Sequence, residues 1–199
     1  AYPGLHYMML SLAPPTVHAE TPDIEASFEH ELSHIALFDA VAGKHVPLWF
    51  NEGLAMWNAH ETWTHVKTMS EASFSKSFMP FSDLDRRFPS DRASIAYAQS
   101  ADFMRFLMRR TDEARFRALV ARVKNGDNFY ASMTDTYGSD FRKLEYQWRE
   151  DVAQRYPFWT TLFAGGSIVW VFGSIAIVIA YVKRKRRQKA ILAKWEKEE

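Results

Sequence analysis

Two histidines four residues apart flank a glutamate in the string His30-Glu31-Leu32-Ser33-His34. A second glutamate, Glu52, follows eighteen residues after His34 in Trp49-Phe50-Asn51-Glu52-Gly53-Leu54-Ala55. On an α-helix, residues four apart share a face, so both imidazoles can aim at one metal ion with Glu31 beside it. A catalytic zinc takes three protein ligands and keeps a fourth position for water, and Glu52 is the natural third donor. Zinc lowers the pKa of a bound water toward about 7 and polarises a carbonyl, which leaves a proton for a base to collect. Glu31 fits that role, and the pattern points to a zinc-dependent hydrolase.

Such a site needs two helices to hold it. Thr21 reads as an N-cap, Pro22 as the first helical residue and Asp23 as an acid of the first turn, which predicts a helix from about Pro22. Gly43 offers a left-handed stop, so this helix ends near Ala42 and carries the motif at mid-length. Phe28, Ile35, Phe38 and Val41 supply its apolar packing. A connection through Pro47 leads to a second helix beginning near Asn51. Gly53 and Ala55 are small, which predicts that this helix passes close to the first and brings Glu52 to the metal. The other histidines serve as controls. His60-Glu61 resembles a second start, but the next histidine, His65, lies five residues on, roughly 140° around a helix. His6, His18, His45, His60 and His65 all read as surface or structural histidines.

The stretch from Pro22 to Trp57, with its HELSH and PLWFNEGLA strings, resembles the gluzincin group of HExxH metallopeptidases, in particular the bacterial peptidase-MA-like domains. The likeness continues through Ala96-Tyr97-Ala98-Gln99-Ser100, with Phe103, Phe106 and Leu107, and through a turn at Tyr137-Gly138. It ends in a last helix with Glu145-Tyr146-Gln147-Trp148, so it covers about residues 20 to 155. The resemblance implies a zinc peptidase with His30, His34 and Glu52 as ligands, Glu31 as catalytic base, and Tyr97 as the best-placed donor to the oxyanion. Zinc-bound histidines normally donate their other N–H to an acceptor. In the thermolysin-like members an aspartate one turn after the glutamate ligand accepts it. Met56 stands in that place here, which leaves Asn51, Asp39 or a backbone carbonyl.

Twenty-five residues without a charge run from Phe158 to Val182, long enough to cross a bilayer core that needs about twenty. Trp159 and Tyr181 stand near the two ends, as interfacial aromatics do. Lys183-Arg184-Lys185-Arg186-Arg187, with Lys189, is a dense positive flank of the kind that stays in the cytoplasm. These features predict a transmembrane helix over 158–182, a basic cytoplasmic tail over 183–199, and a zinc domain over 1–157 on the outer or periplasmic side. That placement calls for an export signal. None is visible before Tyr7, and processing or truncation would account for it. Residues 183–199 carry eight basic and three acidic side chains, and the remainder carries seventeen and twenty-one. The mildly acidic domain implies no nucleic-acid partner. The absence of cysteine excludes disulfides, thiolate ligands and a cysteine nucleophile together.

The remaining segments read as scaffold. Tyr7 to Leu12 is an apolar run suited to a strand. By the resemblance it edges the cleft, with further strands lying upstream or in another subunit. Ser70 to Arg92 reads as a long irregular connection, whereas Phe116, Leu119, Val120 and Val123, stopped by Asn125-Gly126, mark an amphipathic helix. Phe141, Leu144, Trp148 and Val152 mark another. The expectation is a mainly α, zincin-like α+β domain with a residual N-terminal strand or small sheet, followed by one membrane helix. Its function is read as hydrolysis of peptide or protein substrates with Zn2+. The rival reading is an inactive zinc-fold module that holds a partner at the membrane, against which the intact Glu31 counts.

Overall fold

The computed structural model describes residues 3–5, 7–8, 23–61, 65–110, 113–156, 172–175, 177–181 and 183–185. The chain divides into two compact units, Ala1–Pro157 and Phe158–Glu199. The first holds seven α-helices among its described residues: α1 (Ile24–Ala40), α2 (Leu48–Asn58), α3 (Val66–Ser75), α4 (Ala93–Arg110), α5 (Glu113–Lys124), α6 (Phe129–Tyr137) and α7 (Phe141–Arg155). In the second, residues 172–175, 177–181 and 183–185 are helical. Most of the expected span over 158–182 lies outside the described residues. Among the described residues no helix is long and apolar enough to cross a membrane.

The domain is mainly helical, as its periodicity predicts, and differs from expectation at several points. Asp23, not Thr21, caps α1: its carboxylate accepts from the N–H groups of Glu25 and Ala26, which would otherwise lack partners. The helix stops at Ala40, and both Ala42 (φ 51°) and Gly43 (φ 69°) turn left-handed behind it. The second helix starts at Leu48, three residues early, because Pro47 leads in with extended backbone. The connection expected from Ser70 to Arg92 instead begins within α3 (Val66–Ser75), and the 3-10 turns Phe81–Leu84 and Ser90–Arg92 follow. Phe81 and Leu84 are fully buried, so this segment belongs to the core. Of the expected strand over 7–12, Tyr7 holds an isolated bridge position and residues 9–12 lie outside the described residues; no strand appears among the described residues.

The central element is α2, which packs most extensively on α4 and next on α1. Trp49, fully buried, meets the rings of Phe81, Phe103 and Phe129 at centroid distances of 4.9, 5.3 and 5.9 Å. Each large buried side chain of this kind contributes about 2–3 kcal/mol. The backbone N–H of Leu48 donates to Asp85 O at 2.8 Å. The Tyr130 hydroxyl donates to the Asp85 carboxylate and accepts the Trp49 indole N–H, which fastens the start of α2 to the 80–85 corner. Gln99, also fully buried, bonds both backbone groups of Met79 at 3.0 Å and ties the following chain to α4.

Gly53 has its reason here, but not the expected one. A Cβ at Gly53 would lie 2.5 Å from Ser100 O, so the glycine admits α4, not α1, against α2. The separation of α1 from α2 is set instead by side chains, with the Asn58 amide donating to Ser33 Oγ at 2.8 Å.

Candidate metal centre

Ser33 and Leu37 seat α1 in the core, which turns His30, Glu31 and His34 toward α2. On α2, burial of Trp49, Phe50, Gly53 and Leu54 leaves Asn51 and Glu52 on the flank that faces α1. The two imidazoles lie edge to face at 5.0 Å. His30 Nε2 is 3.7 Å from Glu52 Oε2, and His34 Nε2 is 4.0 Å from Glu52 Oε1. All three side chains are half-buried.

The opposite ring nitrogens also have partners. His34 Nδ1 lies 2.9 Å from Asn51 Oδ1, and His30 Nδ1 lies 3.4 Å from Glu61 Oε2. Both histidines thus turn Nε2 inward and Nδ1 outward. Of the acceptors that the sequence left open, Asn51 serves His34, whereas Asp39 is exposed and does not line the cleft. Glu61 was passed over with the string His60-Glu61. The signal that matters is the backbone of His60, at φ 57°, and a residue name does not reveal it. Glu52, and next Glu61, push His30 up to about 9, while burial pulls the other way.

These residues open onto a cleft of about 650 Å³, whose lining is completed by Met56, Glu61, His65, Ser94 and Tyr97. Tyr97 is 38 % exposed and leans edge-on against Phe88 at 4.8 Å. Partial burial raises its hydroxyl above the usual tyrosine value, with the charge of Glu52 adding to the effect, so it stays a proton donor. His65, read from the sequence as a surface or structural histidine, is half-buried in this wall, and burial lowers its pKa. His45 is exposed and stands away from the cleft, as does exposed His60. His6 and His18 lie outside the described residues.

The donor set fits a metal. One ligand atom each from His30, His34 and Glu52 lie within 4.8 Å of one another, in the only such group among the described residues. The Nε2–carboxylate distances slightly exceed the roughly 3.4 Å edge of a zinc tetrahedron built on bonds of about 2.1 Å. Two histidines and one carboxylate, open on the cleft side, are the composition of catalytic zinc sites, and the outward acceptors are what such histidines require.

No curated protein and no solved structure shows significant similarity to the chain. A family model described as the Peptidase MA superfamily matches residues 7–154, which include every residue of the cleft. The chain therefore belongs to the Peptidase MA superfamily, a group of peptidase-like, typically metal-dependent enzymes, and His30, His34 and Glu52 are the side chains grouped so that they could hold a metal ion.

Proposed function

We propose that the protein is a zinc metallopeptidase, tethered to a membrane through residues 158–182, that hydrolyses peptide bonds outside the cytoplasm. The observation that carries the catalytic reading is the convergence of His30 Nε2, His34 Nε2 and the Glu52 carboxylate beside Glu31 in one open cleft. His30, His34 and Glu52 would hold the zinc, which when bound supplies Lewis acidity toward a substrate carbonyl and acidity to a water. Glu31 accepts the proton of the attacking water on its carboxylate and passes it to the departing nitrogen, so that water and amide become acid and amine. Tyr97, held in its protonated form, donates its hydroxyl to the carbonyl oxygen as negative charge gathers there.

The cleft lining bears three carboxylates and, among the described residues, neither lysine nor arginine. A substrate's free C-terminal carboxylate finds no lysine or arginine to pair with in it, so internal or amino-terminal peptide bonds suit it better. The tether and its orientation rest on the uncharged run and its basic flank.

The first test is elemental analysis of the purified chain beside its Glu52→Ala and His34→Ala variants. One zinc per chain in the parent, lost in both variants, is expected. A peptide-library screen then compares the parent with Glu31→Gln, which keeps zinc and loses cleavage. A folded parent that takes up no zinc overturns the reading in favour of a membrane-tethered binding module.

A further inference from the structure

We infer that Glu61 is a positioning residue of the metal centre, whose carboxylate receives the Nδ1–H of His30 and fixes the ring with Nε2 turned to Glu52. The inference rests on the zinc reading above and adds to it a residue outside the motif and outside both ligand-bearing helices.

Three observations carry it. The His30 ring is bracketed, with Nδ1 3.4 Å from Glu61 and Nε2 3.7 Å from Glu52, so each nitrogen faces its own carboxylate. A carboxylate at Nδ1 selects the tautomer whose free lone pair is on Nε2, and it makes that nitrogen a stronger donor. The chain is also folded to deliver this contact. Asn58 ends α2, His60 N–H closes on Trp57 O at 3.2 Å, and His60 then adopts φ 57°, a left-handed backbone uncommon outside glycine. That turn brings Glu61 back to α1 while the His60 side chain stays exposed. Finally, neither Asn51 nor the residue one turn after Glu52 serves His30. Asn51 is engaged with His34, and buried Met56, one turn after Glu52, has only a thioether. The two histidines are therefore supported unequally, His34 by a neutral amide and His30 by a charge.

The test uses the full chain in detergent micelles, stripped of metal, with zinc affinity measured by competition against a chromophoric chelator. Glu61→Ala is expected to weaken zinc binding about 10–100-fold. Glu61→Gln retains a carbonyl that accepts from Nδ1–H and should fall between the parent and Glu61→Ala, a graded rescue that a purely structural loop acid would not give. His65→Ala, in the same wall, should stay within about twofold of the parent. Cobalt(II) loading adds a spectroscopic reading: the ligand-field bands of Glu61→Ala should shift relative to the parent, and those of His65→Ala should not. A parent that binds zinc alongside folded Glu61 variants within twofold of it overturns the inference and leaves the metallopeptidase reading standing. If circular dichroism shows Glu61→Ala to be unfolded, Glu61→Gln decides by the same criterion. A parent without zinc removes the metallopeptidase reading itself.

Discussion

Substituting Gly53 by alanine tests whether the position of Glu52 depends on the seat of α2 against α4. The added Cβ would lie 2.5 Å from Ser100 O, 2.9 Å from Ser100 C and 3.4 Å from Met104 Cβ. The first two contacts are with backbone, and Ser100 is buried mid-helix with its hydroxyl bonded to Ala96 O at 2.7 Å, so α4 cannot yield by a side-chain rotation. Relief to an ordinary contact of 3.4 Å requires the helices to part by about 0.9 Å or more. Overpacking of this kind costs about 1–3 kcal/mol, and the better helix propensity of alanine returns about 1 kcal/mol. The net loss should be up to about 2 kcal/mol, a fall in Tm of up to roughly 8 °C for a domain of this size. Glu52 is the neighbouring residue on α2, and metal bonds tolerate only about 0.2 Å, so zinc affinity should fall more steeply than stability does. The assay is thermal unfolding of the metal-free chain by circular dichroism, paired with chelator competition for zinc. A Gly53→Ala chain as stable as the parent and equal to it in zinc affinity would refute the close approach and the reasoning built on it.

Four further outcomes are expected. The folded-state pKa of His30, raised from 6.5 to about 9, stabilises the metal-free chain fully below about pH 6.5, and that contribution is lost as pH rises through about 9; denaturant midpoints of the parent minus those of His30→Gln should follow this course. Because the same proton must leave for a metal to bind, apparent zinc affinity should rise about tenfold per pH unit from pH 7 toward 9 and then level, and a flat profile would contradict it. Tyr97→Phe should leave zinc content unchanged and lower kcat by about 10²-fold with little change in KM, readable in steady-state kinetics. Asp102 is buried and bonds Arg155 Nη2 at 2.6 Å, Arg105 at 3.0 Å and the Trp148 indole at 2.8 Å; Asp102→Ala should therefore cost about 3–5 kcal/mol, seen as a large fall in denaturant midpoint.

The residues proposed to hold the metal were legible because their spacing is a helical spacing. His30 and His34 need only α1 to share a face, and Glu52 needs only a second helix within reach. What escaped the sequence depended on backbone states and tertiary neighbours. A left-handed His60 is not signalled by its residue type, so Glu61 looked like part of a failed motif. Gly53 was recognised as a point of close approach, but it was assigned to α1 when the neighbour is α4, since smallness does not say which helix comes near. The segment from Ser70 to Arg92 looked like an irregular connection because its apolar residues, Phe81 and Leu84 among them, follow no regular spacing. Phe81 and Leu84 are nonetheless fully buried beneath α2 and α4. The caps misled by two residues because Thr21-Pro22 and Asp23 carry competing start signals, and Asp23 is the one whose carboxylate reaches the free N–H groups.

His30, Glu31, His34, Asn51, Glu52 and Glu61 all fall within one stretch of the chain that ends before α3 begins. The loops closed in bringing them together are short, and loop-closure entropy grows only slowly with length. The centre is thus a low-contact-order object: it can form as a docked pair of helices and acquire its ligand geometry early in folding. Its final adjustment is different in kind, because the seat of Gly53 on Ser100 joins it to a helix some fifty residues further along. Variation in α4 can then retune the metal centre without touching a ligand, whereas variation between Ala40 and Leu48 alters how fast the centre assembles more than what it becomes.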